Sequence, residues 1–216
     1  MTPFVNVLWP TDTGVWRSSY AGGSEGSRSS TLVIPYGDYA AGSLVVISLR
    51  IEASVTVTDP SGWSSLASRN QNGSSRVYAR EMDGGEGASL SITISSNRWA
   101  AWSVYVTDQA ATGEAAYVEA NITGGLNPDS LTPSWGANEN AWITYASLHK
   151  NDDALTMPAN YEDQLDGATP DDEANSCRVA SAHRVLNATS ENPATWTQVG
   201  SASADPHSGV IAVRLA

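Results

Sequence analysis

Apolar side chains recur at every second position over short runs, and this spacing limits the possible folds of the chain more than any other feature. Leu90, Ile92 and Ile94, for example, alternate with serine and threonine. Successive side chains of a β-strand point to opposite faces of the sheet, so the alternation predicts a strand with one buried face. Similar short runs lie at 44–51, 55–58, 76–80, 102–106, 115–122, 141–148, 178–185 and 209–215.

These runs predict an all-β fold. No window of about a dozen residues keeps the period of a helix. The segments between the runs contain Gly, Asn and Asp, as in the Asp-Gly-Gly at 83–85, and such residues tolerate the positive φ of tight turns. Many short strands at regular spacing are typical of a β-sandwich.

The run at 44–51 has one face that is apolar throughout and another that changes character. Val45, Ile47 and their alternate neighbours form the apolar face, while the other face becomes polar at Ser48 and Arg50. We therefore expect the first face to be buried and Ser48 and Arg50 to face water.

The second half of the chain resembles the first at a shift of 98 to 99 residues. Gly37 aligns with Gly136, and Trp63 aligns with Tyr161, each aromatic residue standing three positions after a proline. Self-similarity at a fixed period is typical of repeated structural units, so we predict an internal duplication. The predicted pseudo-repeats are residues 31–107 and 131–216.

The two halves are expected to share one interior. Two half-sandwiches can interleave and bury each other's inner faces, so neither half needs to be a separate domain. We predict that residues 31–216 form a single β-sandwich domain of jelly-roll type.

Residues 1–30 are predicted to stand apart from this domain as an arm and a linker. The segment 17–30 is rich in Gly and Ser, a composition typical of flexible linkers. The arm before it is too apolar to lie comfortably in water, so it is either the first strand of the sandwich or packs on another chain.

The charge balance argues against nucleic acid as a partner. The chain has 11 Lys and Arg against 23 Asp and Glu, a net charge of -12, and a single lysine. Binding to a phosphate backbone depends on cationic side chains that release counterions, and this chain has few. No segment is long and apolar enough to cross a bilayer, and the first residues lack the basic and apolar regions of a secretory signal. We expect no membrane partner and no export by that route.

No pattern of catalytic or metal-binding residues stands out. His149, His183 and His207 show no pairing at a ligand spacing, and neither does the single cysteine, Cys177. A G-x-S-x-G match at 22–26 lies in the Gly/Ser run with no helix after it, which favours a linker over a nucleophile elbow. We predict a protein that is not an enzyme and has no catalytic residues, no metal and no cofactor.

An acidic stretch extends from Tyr161 to Glu173. Its spacing does not follow the calcium loop of an EF-hand, so we predict a solvated surface loop. Oxygen-rich loops can also hold Ca²⁺, and that alternative stays open.

Tryptophan and tyrosine dominate the aromatic residues, with eight of each against one phenylalanine. Both combine an apolar face with a polar edge and occur on binding surfaces as well as in cores. Those at repeated or strand positions are assigned to the core: Trp63, Trp102, Trp142 and Tyr161. The less constrained tryptophans, together with two apolar residues of the arm, are candidates for a partner interface: Phe4, Val7, Trp9, Trp16, Trp99 and Trp135.

Two motifs bring the chain close to a known family. Residues 58–66 read T-D-P-S-G-W-S-S-L and follow A-G-S-L-V-V at 41–46. They resemble the β-sandwich proteins of tailed bacteriophages and prophages, in which P-x-G-x-x-x-G-D-L-L-V precedes T-P-x-G-W-T-x-L. The sequence departs from that pattern at Ser43, where the family usually has Asp, and at Ser64, where it usually has Thr.

The resemblance extends over residues 31–216. It includes the strand-like run at 77–80, the turn at 83–86 and the apolar run at 209–215. It implies a non-enzymatic virion structural protein of jelly-roll type, serving as a capsid decoration or cement protein, a head fibre or a module of a tail fibre.

A decoration protein on the outside of the phage head is the role we expect. A fibre protein normally needs a coiled-coil segment, and this chain has no heptads. A decoration protein needs a compact body and a short adhesive segment, which residues 1–16 would supply. The expected partners are the major capsid protein or other virion proteins, with the protein made in the host cytoplasm and assembled as a homo-oligomer.

Two other functions remain as alternatives. One is a tail-fibre or receptor-binding module that recognises a host-surface glycan through exposed Trp and Tyr. The other is a carbohydrate-active enzyme, which would need a concave site with two carboxylates about 5–9.5 Å apart.

Overall fold

The computed structural model describes residues 16–23, 28–37, 39–108, 110–119, 125–149, 153–169, 176–200 and 204–216. Throughout these ranges the regular elements are β-strands, and helices are absent from them. The all-β prediction is therefore confirmed, and the described residues contain no helix that could cross a membrane.

The strands form four antiparallel sheets: two five-stranded inner sheets and two smaller outer sheets. The first inner sheet contains, in spatial order, β1 (Ser18–Gly23), β8 (Ala100–Thr107), β3 (Leu44–Ile51), β6 (Ser74–Glu81) and β5 (Ser64–Asn70). The second contains β12 (Glu162–Ala168), β13 (Cys177–Ala188), β10 (Asn138–His149), β15 (Ala204–Leu215) and β9 (Ala110–Glu119). The first outer sheet contains β2 (Ser29–Pro35), β7 (Ser89–Arg98) and β4 (Val57–Thr58). The second outer sheet contains β11 (Leu155–Thr156) and β14 (Thr197–Gln198).

The order of strand pairing is the same in both inner sheets. In the first half, β1 pairs with β8, β8 with β3, and β3 with β6, while β2, β7 and β4 form the covering sheet. This arrangement is that of a β-sandwich. In the second half, β9, β15, β10, β13 and β12 repeat it, and an isolated bridge between Leu131 and Glu191 stands where β2 pairs with β7. The internal duplication itself stays a prediction.

The backbone conformation at the aligned residues is also similar in the two halves. Gly37 and Gly136 have the same φ of 74°, a left-handed value that favours glycine. The backbone N–H of Trp63 donates to the carbonyl of Pro60 at 3.3 Å, and that of Tyr161 donates to the carbonyl of Pro158 at 3.4 Å. Local sequence similarity therefore corresponds to local structural similarity at these two corners.

The apolar interior is divided, which corrects the expectation of one shared interior. The inner sheets pack face to face, and each also packs against the outer sheet of its own half. One cluster, which includes Ile47 and Ile92, lies within the first half. Another, which includes Trp142 and Trp196, lies within the second. A third lies between the inner sheets, and we call that space the inter-sheet layer.

Both faces of the central strands are buried as a result. Every residue of β3 is buried, including Ser48 and Arg50. The prediction that these two residues face water is wrong, because the second inner sheet covers the face on which they lie. The alternation of the sequence identified the two faces of the strand, and packing against another sheet buried both.

The segment predicted as a flexible linker contains a strand. Residues 18–23 form β1, whose backbone pairs with β8 from Ser18 to Gly23. Its glycines allow the second inner sheet to approach closely: a Cβ added at Gly23 would lie 2.2 Å from the carbonyl oxygen of Ala168. Backbone pairing and this close approach order a sequence whose composition alone favours flexibility.

The acidic stretch is also partly a strand. Residues 162–168 form β12 at the edge of the second inner sheet, so the prediction of a loop is wrong there. The carboxylates of Glu162, Asp163 and Asp166 lie on exposed positions of this edge strand. Acidic side chains suit such an edge because charge discourages further strand pairing.

Candidate functional site

The residues predicted for a partner interface are dispersed in the structure. Phe4, Val7 and Trp9 lie outside the described residues. Trp16 is only 5% exposed and packs in the inter-sheet layer, with its ring centroid 4.9 Å from that of Tyr105. Its indole therefore packs inside the molecule.

The other two tryptophans predicted for an interface are half-buried. The indole N–H of Trp135 donates to Asn140 Oδ1 at 2.9 Å, and its ring packs against the core of the second half. The carbonyl of Trp99 accepts from the backbone N–H of Glu52 at 3.1 Å. The structure does not bring these two residues together with Trp16 into one surface.

The three histidines and the cysteine are all buried at strand positions that face the inter-sheet layer. In the described part of the chain no three His, Cys, Asp or Glu side chains come together as a group that could hold a metal ion. Burial raises the pKa of the Cys177 thiol to about 12, and the thiol donates to the backbone carbonyl of Arg50 at 3.5 Å. A thiol in this state is a poor nucleophile at neutral pH.

A buried arginine organises the polar part of the inter-sheet layer. Arg50 Nη1 lies 2.5 Å from Nδ1 of His207 and donates to Ser75 Oγ at 3.1 Å. Its Nη2 donates to the backbone carbonyls of Asn72 at 3.1 Å and Asp205 at 3.2 Å. These groups join the two halves of the chain through one buried cation, whose pKa burial lowers to about 10. Arg50 therefore stays charged at neutral pH.

His207 is neutral in this setting. Desolvation, followed by the positive charge of Arg50, lowers the pKa of His207 from 6.5 to about 2. Arg50 and Ser75 both approach Nδ1, at 2.5 and 2.8 Å, so this nitrogen serves as an acceptor. A second positive charge on the imidazole would repel the guanidinium in a buried space.

We predict that acidification destabilises the protein through His207. The unfolded chain binds a proton at this histidine below pH 6.5, whereas the folded chain does not do so until about pH 2. The free energy of unfolding therefore falls by about 1.4 kcal/mol for each pH unit below 6.5. Urea unfolding of the wild type and of His207→Asn between about pH 7 and pH 5 would measure this slope.

In this window few carboxylates titrate, so the wild type should lose stability more steeply than the variant. Equal slopes would show that His207 does not titrate as proposed. His183 contributes to both proteins in the same way, because burial lowers its pKa as well.

Two acidic side chains of β12 contact residues of the neighbouring strand β13. Asp163 Oδ2 lies 3.2 Å from His183 Nε2, and Asp166 Oδ2 accepts from Arg178 at 3.0 Å. Residues 170–173, the rest of the stretch predicted as a loop, lie outside the described residues.

A groove at one end of the first half is the best candidate for a binding site. It has a volume of about 550 Å³ and opens to solvent. The turn that contains Pro60, Ser61 and Trp63 forms one wall, the turn at 83–86 forms the other, and the start of β7 lies between them. Binding sites for small molecules are usually clefts of about 300–1,000 Å³.

An ion pair holds the two walls of the groove together. Arg80 Nη2 lies 2.7 Å from Glu86 Oε1, and Arg80 Nη1 donates to the carbonyl of Ser61 at 3.4 Å. Backbone N–H groups of the turn, the one from Asp83 first, lower the pKa of Glu86 to about 2. Glu86 is therefore ionised at neutral pH, and Arg80 links the two turns.

Aromatic side chains form the inner part of the groove. The ring centroid of Tyr36 lies 5.9 Å from that of Trp63 and 5.7 Å from that of Tyr39. Tyr39 connects this cluster to the opposite wall, since its hydroxyl accepts from the backbone N–H of Glu86 at 3.0 Å. Trp63 is half-buried and lines the groove.

The corresponding aromatic residue of the second half has a different environment. The hydroxyl of Tyr161 donates to Glu191 Oε1 at 3.0 Å, and Arg184 lies 5.2 Å above the Tyr161 ring while pairing with Glu191. Tyr161 and Glu191 are both buried. The two halves thus share an aromatic residue, an arginine and a glutamate, but only Trp63 is partly open to solvent.

The sequence analysis singled out several residues of the groove but did not predict that they line a groove. The assignment of Trp102, Trp142 and Tyr161 to the core is confirmed, whereas Trp63 is half-buried and lines the groove. Arg80 and the turn at 83–86 were parts of the motif that resembles the phage proteins. Their meeting with Trp63 could not be anticipated, because it depends on the pairing of β5 with β6.

Comparison with known proteins yields no relative: no family model, curated protein or solved structure matches the chain.

Proposed function

We propose that this chain is a non-enzymatic structural protein of a phage virion, bound to the outside of the capsid as a decoration protein. The motifs at 41–46 and 58–66 support this role through their resemblance to phage β-sandwich proteins. The acidic, lysine-poor composition supports a place on the outer surface of the shell, away from packaged DNA. The proposed partners are the major capsid protein and further copies of this chain.

We call attachment to the capsid through residues 1–15 the attachment model. It rests on the burial of Trp16. Trp16 packs in the inter-sheet layer, and the backbone N–H of Arg17 donates to the carbonyl of Val106 at 2.8 Å. The chain that precedes Trp16 therefore starts from a fixed point on the body. Phe4, Val7 and Trp9 lie in this segment, and apolar side chains of that kind suit a groove or a sheet edge on a capsid.

The environment of the reactive side chains supports a role without catalysis. Cys177 and the three histidines lie within the inter-sheet layer, where a substrate would have to separate two packed sheets to reach them. In the groove, Arg80 and Glu86 are paired with each other. These side chains are therefore engaged in packing and ion pairing, which does not suit acid–base catalysis.

We predict that removal of residues 1–15 abolishes capsid binding and leaves the body folded. Trp16 and everything after it would remain, so the far-UV circular dichroism and the midpoint of urea unfolding should stay close to those of the full chain. Co-sedimentation with capsids that lack this protein would measure binding, and we expect an affinity loss of at least about 100-fold.

The triple variant Phe4→Ser, Val7→Ser, Trp9→Ser is the matched test of the apolar residues, with Thr2→Ser and Thr13→Ser as the control within the same segment. Full occupancy of the capsid by the truncated protein would contradict the attachment model.

Recognition of a host-surface glycan at the phage tail is the second candidate function. The groove beside Trp63 favours it, because an aromatic residue next to exposed serines suits a sugar. Imaging of intact particles would separate the two roles: a decoration protein would be present in many copies over the head, and a receptor-binding protein in few copies at the tail.

A further inference from the structure

We propose that the groove between the Trp63 turn and the turn at 83–86 binds a neutral saccharide, with the Trp63 ring as its stacking surface. This inference rests on glycan recognition, the second candidate function, and it is independent of attachment through residues 1–15. It assigns the ligand class and the contact residues of a site at the end of the first half.

In the part of the chain that the structure describes, polar groups without hydrogen-bond partners line the groove. Its lining residues include Ser61, Ser89, Ser91 and Trp63. Among the described residues, no partner accepts a hydrogen bond from the Trp63 indole N–H or from the hydroxyl groups of these three serines. Ser61, Ser89 and Ser91 are exposed, so the groups are available to a ligand. A sugar offers hydroxyl groups that can both donate and accept, which matches serine hydroxyls on each side.

The charge of the groove favours a neutral ligand. Arg80 is engaged by Glu86 at 2.7 Å and by the carbonyl of Ser61, so it is not free to receive an anion. Glu86 accepts from the backbone N–H groups of Asp83, Gly84 and Gly85. Asp83 is 77% exposed on the rim and adds a further negative charge. Arg80, Asp83 and Glu86 together leave one net negative charge, which disfavours sialic acids and phosphosugars relative to neutral sugars.

Packing makes the aromatic surface of the groove rigid. Tyr36 packs beside Trp63 and is itself buried, with Tyr39 on its other side. The backbone N–H of Trp63 donates to the carbonyl of Pro60, which fixes the backbone of the turn that carries the ring. A preorganised ring loses little conformational entropy when a ligand stacks on it. The ring of Trp63 is therefore held in place in the absence of a ligand.

The buried state of Tyr161 limits the number of sites. Tyr161 occupies the aligned position in the second half, but Glu191 and Arg184 already contact it and it is buried. Stacking of a sugar on Tyr161 would require both contacts to break. We therefore expect one saccharide per chain.

The test is a titration of the full chain with neutral and acidic sugars. D-galactose, D-glucose, N-acetyl-D-glucosamine and their disaccharides serve as neutral probes, and sialyllactose serves as the acidic comparison. Indole N–H signals in a ¹H–¹⁵N spectrum report on tryptophan contact, and Trp63→Phe identifies the Trp63 signal. We expect a neutral probe to shift that signal with a Kd of about 10 mM or tighter and a stoichiometry of one.

Two variants test the contact between the sugar and the groove. The second one keeps this test valid if the first variant does not fold. Trp63→Ala should weaken binding at least about tenfold. Ser91→Trp should do the same by filling the groove from an exposed position of β7, outside the core. Trp99→Ala is the matched control, because Trp99 is a half-buried tryptophan that does not line the groove, and its affinity should equal that of the wild type.

The proposal is overturned if no neutral probe shifts the Trp63 signal up to about 100 mM, if sialyllactose binds more tightly, or if Ser91→Trp binds as well as the wild type. The truncation of residues 1–15 should leave sugar binding unchanged, and Ser91→Trp should leave capsid binding unchanged. Failure of one proposal is therefore separable from failure of the other.

Discussion

Replacement of Arg50 by alanine is expected to lower the free energy of unfolding by about 3–5 kcal/mol. The guanidinium is fully buried and is the donor for His207, Ser75 and the carbonyls of Asn72 and Asp205. Removal of the side chain takes this donor away from the backbone carbonyls of Asn72 and Asp205 and opens a cavity between the inner sheets. Both effects are destabilising in a buried site.

Urea unfolding at neutral pH would measure the loss, provided that the m-value is unchanged. Arg69→Ala is the matched control, because Arg69 is only half-buried and its Nη2 donates to Gln71 on the surface at 3.3 Å. The control should lose about 0.5 kcal/mol or less.

Arg50→Met separates the two effects. Methionine keeps much of the length of the side chain and removes the charge, so the cavity is small while the carbonyls of Asn72 and Asp205 still lose this donor. We expect a loss smaller than that of Arg50→Ala but clearly larger than that of the control. If Arg50→Ala unfolds at the same urea concentration as the wild type, Arg50 does not join the two halves as described.

Replacement of Trp16 by alanine is expected to lower the free energy of unfolding by about 3–5 kcal/mol. The indole packs against Tyr105 of the first inner sheet and lies 5.6 Å, centroid to centroid, from His183 of the second. Its removal would leave a large cavity in the inter-sheet layer. The loss should appear in urea unfolding as a lower midpoint with an unchanged m-value.

Trp16→Phe is the matched control for this prediction. Among the described residues no group accepts a hydrogen bond from the Trp16 indole N–H, so the change removes volume without removing a hydrogen bond. We expect a loss of about 1–2 kcal/mol, smaller than that of Trp16→Ala. A Trp16→Ala variant as stable as the wild type would mean that the residue is not held between the sheets, and the attachment model would lose its fixed starting point.

The positions of the strands were predictable because they depend on local alternation. The runs at 44–51, 76–80, 102–106, 141–148, 178–185 and 209–215 all lie within strands. Strand β7 shows the clearest case: Leu90, Ile92 and Ile94 are buried, and the serine and threonine residues between them are exposed. A strand with one covered face needs no knowledge of the rest of the molecule to be recognised.

The candidate site was predictable only in its parts. Trp63, Arg80 and the turn at 83–86 all occur in the motif that resembles the phage proteins, yet the sequence placed Trp63 in the core. The groove exists because β5, β6 and β7 bring these turns together at one end of a sandwich. Distances between turns are a property of strand pairing, and a sequence pattern does not contain them.

The amino-acid sequence by itself determined that the chain is all-β and where most strands lie, and it aligned Gly37 with Gly136 and Trp63 with Tyr161. Only the tertiary structure decided that Arg50 is buried, that the Gly/Ser-rich segment at 18–23 is a strand, and that Trp16 packs inside the molecule. The physical reason is the same in each case. Alternation shows which side chains share a face of a strand, but what covers that face depends on residues far away in the chain.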